Sequence, residues 1–249
     1  MVSDQKVQEL LSAGEDALIE AGFRTGEFGP ARELLQEAQA EATRSADAAG
    51  RARALEMLGM LLHYENITTL MGGGQVSVAD IDAEEGRFRQ ALACWQEMAD
   101  SASMAQSLFG LGLVFQVLHS DWMTAMPYFW QALGQVSLAD SAVDPYLRSE
   151  VHRHVGFYYL VEDVQPAEAV RHLQLSLDLR EELGDERRIP SGQVALAQAH
   201  LSAGNHDQAV ELLRQAVAGA RSAGLLAHRI EDAEQALQEA EAGSPPPPG

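Results

Sequence analysis

The chain has 249 residues, 46% of them apolar, a formal charge of 17 minus 37, or −20, and one cysteine. That is long enough to bury a substantial core, and it excludes a disordered polymer, a collagen-like fibre and a disulfide scaffold. An isoelectric point near 4.6 without any Lys/Arg cluster opposes phosphate neutralisation, so neither nucleic acid nor an anionic membrane surface is an expected partner.

The first 22 residues lack the basic and continuous apolar regions of a secretory signal and read as a helix, with Leu10, Leu11 and Leu18 at helical spacing. Together with the lone Cys94, this makes a reducing cytoplasm the expected location. The longest strongly apolar stretch, around 108–118, falls short of the roughly 20 residues that a membrane span needs. Lys6 is the only lysine against sixteen arginines, which points to a GC-rich genome.

Helical periodicity recurs along the chain and no stretch alternates with period two, so the expected class is all-α. Breaks at 26–30, 140–145, 184–190 and 204–207 leave segments of about 12 to 20 residues that pack as antiparallel neighbours. Residues 244–249, SPPPPG, form an extended tail after a single domain spanning 1–243.

Internal repetition decides the fold. Residues 194–217 carry Leu196-Ala197, Gly204, then Ala209, Leu213 and Ala216. The pattern recurs as Leu58-Gly59 with Ala91, Trp95 and Met98; as Leu111-Gly112 with Phe115, Ala125, Phe129 and Ala132; and as Val155-Gly156 with Tyr159, Ala169, Leu173 and Ser176. A weaker first copy offers Gly26, Ala31, Leu35 and Ala38. Small residues at such positions let two helices approach to about 8–10 Å. The pattern resembles the tetratricopeptide repeat over roughly residues 5–223, and the resemblance implies a right-handed α-solenoid of about five helix pairs. The key alanines at 31, 91, 125, 169 and 209 lie 60, 34, 44 and 40 residues apart, like the longer repeats of kinesin light chain and related bacterial proteins. The segment 66–85 is an insert between the two helices of the second copy, which either extends both helices or forms a lid. A last helix over 228–242 has a polar face suited to capping a solenoid.

Residue types that could carry chemistry read here as packing or surface groups. His152 and His154 point roughly 200° apart on a helix, and no H-x-x-x-H or Cys/His cluster exists. His152 and His200 read as packed core histidines, His119 and His206 as surface residues in turns. The run Asp80, Asp82, Glu84, Glu85 lacks the glycine and the terminal acid of a calcium loop and reads as helix capping. Gly72-Gly73-Gly74 is no phosphate loop and reads as a hinge, and nothing near Cys94 in sequence activates it. No catalytic residue, metal or cofactor is expected.

The resemblance implies a concave groove lined by the first helix of each pair. Carried over position by position, it takes Arg53, Glu56, Met60, His63 and Tyr64 from the second copy and Phe109, Leu113 and Gln116 from the third. The fourth supplies Glu150, Arg153, Phe157, Leu160 and Val161, and the fifth supplies Gln198. The Lys/Asn clamp of related chaperone-binding modules is missing. The expected function is a non-catalytic interaction protein holding a peptide or protein segment in this apolar groove, with Arg153 or Arg53 orienting an anion. The alternative is a small-molecule binder of a biosynthetic, resistance-related or enzymatic kind, in which the 66–85 insert closes a pocket over an apolar ligand with an anionic group.

Overall fold

The computed structural model describes residues 2–138 and 144–243, and the chain divides into two compact units, 1–142 and 143–249. Part of the 140–145 break and the tail 244–249 lie outside the described residues. Among those residues every regular element is helical.

The first unit holds α1 (Val2–Glu20), which runs into a π-helical turn Ala21–Thr25, then α2 (Gly29–Arg44), α3 (Ala48–Met71), α4 (Val78–Glu97), α5 (Ser101–Leu113) with a π-helical turn Val114–Leu118, and α6 (Trp122–Leu138). The second holds α7 (Pro145–Val161), α8 (Pro166–Leu183), α9 (Ile189–Ser202), α10 (His206–Ser222) and α11 (Ala227–Glu241). Consecutive helices pack on one another as pairs α1/α2, α3/α4 and α5/α6, and α7/α8 and α9/α10, with α11 against α10. These are the five expected copies and the terminal helix.

Acidic residues supply many of the starts. Asp47, Asp100 and Asp144 each accept a backbone N–H in the first turn of α3, α5 and α7, and Asp121 does the same for Thr124 in α6. Carboxylates there also meet the positive end of the helix dipole, so part of the large negative charge is placed where helices favour it.

The pairs close through small residues. Ala31, Ala91, Ala125, Ala169 and Ala209 are all fully buried. A methyl group on Gly112 would stand 2.4 Å from the Phe129 ring, and one on Gly156 2.6 Å from Leu173, so each first helix lies against a large residue of the second with no room for a side chain. In the first pair that place belongs to Gly14, 2.5 Å from Leu35 by the same measure, and not to Gly26, whose φ of 73° caps the π turn. In the second pair Gly59 meets Phe88 instead of Trp95, whose indole reaches Glu56.

The 66–85 segment is not a lid. It continues α3 to Met71 and starts α4 at Val78, with a six-residue turn between. Gly73, at φ 75°, makes the turn with the backbone a glycine adopts without strain. Ser101–Leu118 is, by length and composition, apolar enough to cross a membrane, more than the sequence reading allowed. Its apolarity is explained by packing: half of it is buried, including Leu108, Leu111, Leu113 and Val114.

Candidate binding face of the second unit

Within the first unit, most of the expected groove residues are consumed by packing. Phe109 and Leu113 are each 2% exposed, and Phe109 lies 5.9 Å from Phe129 of its own helix pair. Met60 and Tyr64 are half-buried against the α1–α3 core, where Tyr64 meets the edge of Phe23. Arg53 is exposed and Gln116 half-buried. Carry-over from a repeat places a residue on the inward side of its helix, but whether the neighbouring pair covers it depends on that pair's side chains.

Two buried polar groups show this most clearly. His63 and Asn66 on α3 both bind Glu84 on α4, His63 Nδ1 at 2.8 Å from Oε1 and Asn66 Nδ2 donating to Oε2 at 2.8 Å. Glu84 is fully buried, so it is a strut between two long helices and not part of a solvated capping run; Asp80 alone of that run sits in the first turn of α4, with Ser77. Glu56 is also buried, its Oε1 accepting from Trp95 Nε1 at 2.8 Å and from Ser107 Oγ at 2.6 Å.

Burial pushes the Glu56 carboxyl up to about 7, against the opposing pull of the Ser107 and Trp95 hydrogen bonds and of Arg53. Its folded value stands above the unfolded one, so the fold binds the extra proton, and the stability this gives is complete below the ordinary carboxylate range and lost as pH rises through about 7. We therefore expect wild-type stability to fall by on the order of 2–3 kcal/mol between pH 5 and 8 from this group, and Glu56→Gln to remove that slope. Urea unfolding at several pH values checks it; parallel slopes for the two proteins would place the ionisation elsewhere.

In the second unit the α7 face stays partly open. Arg153, Phe157 and Leu160 follow one another at i, i+4 and i+7 on this face, each half-buried, and Val161 beside them is 37% exposed. Phe157 and Leu160 rest on the core of α8 and α9, and Gln198 of α9 is half-buried. The Arg153 guanidinium lies over the Phe157 ring, 4.7 Å from its centroid, and His154 meets the same ring edge-on.

Behind Arg153 is the most deeply buried charge of the unit. Arg180 of α8 pairs with Glu150, donates from Nε to Ser149 Oγ at 3.0 Å, and from Nη1 to the Arg188 carbonyl at 2.8 Å and Ser191 Oγ at 3.0 Å. It ties α7, α8 and α9 together, and sequence spacing alone did not single it out. Burial raises the Glu150 carboxyl, but the guanidinium groups of Arg180 and Arg153 outweigh it and hold the carboxyl below its usual value. Arg188 lies on the Tyr146 ring, 3.9 Å from its centroid, and pairs with Asp185.

Five further histidines have structural partners. Arg171 Nη2 donates to His172 Nε2 at 2.8 Å, so His172 carries its proton on Nδ1 and gives it to His152 Nδ1 at 2.9 Å. Burial, with Arg171 nearby, pushes both rings down to about 4. His200 is half-buried at the end of α9, near Asn205, where burial lowers its pKa. His119 is exposed and stacks on Phe115; His206, also exposed, donates Nε2–H to the Ala240 carbonyl and joins α10 to α11.

Comparison with known proteins agrees with this architecture. A tetratricopeptide repeat model matches residues 150–222, which run from Glu150 in α7 to the end of α10. No curated protein matches the sequence. Among solved structures, the crystal structure of aspartyl phosphate phosphatase F from Bacillus subtilis is similar, with a TM-score of 0.62 at 16% identity over 97% of this chain. The chain spans 59% of that protein's length. The crystal structure of BtubC (BKLC) from P. vanneervenii is similar with a TM-score of 0.50 at 16% identity, over 90% of this chain and 92% of that one. At such identity these likenesses are of fold. Residues 150–222, which contain the open α7 face, are a tetratricopeptide repeat segment.

Proposed function

We propose that the protein is a non-catalytic interaction module of the cytoplasm whose second unit holds a protein or peptide segment on the face made by Arg153, Phe157 and Leu160 of α7 and Gln198 of α9. The observation that carries this reading is the row Phe157, Leu160 and Val161, which keeps apolar surface open beside an arginine while Phe109 and Leu113 in the first unit are covered. An amphipathic segment laid along such a row buries its apolar side chains there and leaves its polar side to water. The tetratricopeptide fold supports a capacity for protein interaction. The small-molecule reading has lost its lid, since 66–85 forms helix ends.

Native mass spectrometry on protein purified gently from its source tests the proposal. The expected result is a retained polypeptide, lost in Phe157→Glu with the helical content unchanged. A polypeptide retained equally by wild type and Phe157→Glu would remove this face from the interaction, and a retained mass of a few hundred daltons would replace the segment by a small ligand.

A further inference from the structure

The third helix pair is out of keeping with the charge of the chain. Residues 101–138 contain a single acid, Asp121, and no lysine or arginine, although 22% of the chain is charged. For α5 burial accounts for this, since Leu108, Leu111 and Leu113 are core residues. Burial does not account for α6, which keeps a row open to solvent: Met123 is 83% exposed and Trp130 40%, and Pro127, Gln131 and Gly134 are exposed with them, at i, i+4, i+7, i+8 and i+11. The other four pairs supply the comparison. Five residues beyond the key alanine, the second helix of every pair has an exposed side chain, which is Gln36, Gln96, Gln174 and Arg214 in the others and Trp130 in α6. The exposed sides of α2, α4, α8 and α10 carry charges such as Glu33, Arg89, Arg171 and Glu211, and the row on α6 carries none.

We propose that this row is the contact between two copies of the chain, paired about a two-fold axis through α6. A basic partner is drawn to carboxylates and finds none here, whereas two copies of charge −20 repel wherever their carboxylates meet and approach most closely through a face without them. The row is also complementary to itself. Trp130 stands one turn before Gly134, where an added methyl group would meet nothing within 4 Å. In an antiparallel crossing centred on Ala132, Trp130 of each copy lies over Gly134 of the other, and a glycine there lets the helices close to about 8–10 Å. Area sets the strength. A row about 17 Å long on one helix buries no more than roughly 1,000 Å² in all, the lower limit of specific interfaces, so the dimer is a reversible one.

Sedimentation velocity on the whole purified chain, from about 1 to 300 µM, tests this. The expected result is a reversible passage from monomer to dimer that strengthens between about 0.05 and 0.5 M sodium chloride, because salt screens the repulsion between the two acidic copies. Trp130→Glu should raise the dissociation constant about tenfold or more with helical content unchanged. Gly134→Trp should do the same by filling the hollow, and Trp130→Ala/Gly134→Trp, which exchanges knob and hollow, should regain association. A monomer at every concentration, a dimer indifferent to Trp130→Glu, a dimer weakened by salt, or no recovery in the exchanged variant would overturn the proposal. A foreign polypeptide bound by wild type and lost in Trp130→Glu, with the purified chain monomeric, would give the face to another protein instead.

Discussion

Arg180→Met is expected to destabilise the second unit by about 3–5 kcal/mol, because it strands a carboxylate inside the protein. Arg180 is 2% exposed and heads the fully buried side chains among the described residues, and the Glu150 side chain beside it is 12% exposed. Removing the guanidinium also leaves Ser149 Oγ and the Arg188 carbonyl each short of a partner. The cost lies in the widowed charge more than in the pair itself, so Arg180→Met/Glu150→Met should regain most of the loss even though it restores no ion pair. The tryptophans are Trp95, Trp122 and Trp130, so residues 143–249 have none; circular dichroism or hydrogen exchange in α7 and α8 must report the change. A double variant as unstable as Arg180→Met would mean that the pair itself, and not the stranded acid, carries the stability.

Phe88→Ala is expected to cost a similar 3–5 kcal/mol in the first unit. The ring is fully buried where α3, α4 and α5 meet, beside Leu111 and Val114. Two glycines make the slot: a methyl group on Gly110 would stand 2.2 Å from the ring and one on Gly59 2.8 Å. Backbone on both sides limits collapse, so the void left by alanine stays open. The converse substitution, Gly110→Ala, overfills the same slot and should cost about 1–3 kcal/mol. Chemical denaturation followed by the fluorescence of Trp95, Trp122 and Trp130, all in the first unit, separates these effects. A loss below about 1 kcal/mol for Phe88→Ala would show that the three helices close on the gap.

The helix pairs were legible because they are written in local spacing: a small residue on one helix, and small, large, small on the next, recur wherever two helices must approach closely. Gly14 escaped because Ala13-Gly14 lacks the Leu or Val that precedes the small residue in the other copies, although its place 21 residues before Leu35 is near enough to the 17 between Gly112 and Phe129 to have flagged it. The buried charges were harder. Glu84 opens the spacing i, i+4, i+7 and i+11 completed by Phe88, Ala91 and Trp95, and Arg180 closes the same spacing after Ala169, Leu173 and Ser176, so both stand on the core-facing side of their helices. What local spacing does not contain is the partner: His63 and Asn66 for Glu84, Ser149 and Glu150 for Arg180, each supplied from 18 to 31 residues away. The same limit explains the groove. Arg153 and Phe157 stayed partly open and Phe109 did not, because covering is decided by the next helix.

Whether the α7 face of the second unit receives a protein segment can be read with a photocrosslinking residue placed at Leu160 in the source cell, with Leu175 on α8, itself 38% exposed, as the comparison. The expected result is a discrete crosslinked polypeptide from position 160 that is absent from position 175 and is suppressed by Arg153→Gln. Equal crosslinking from both positions, or none from position 160 while an intact partner complex is recovered from the same cells, would contradict it.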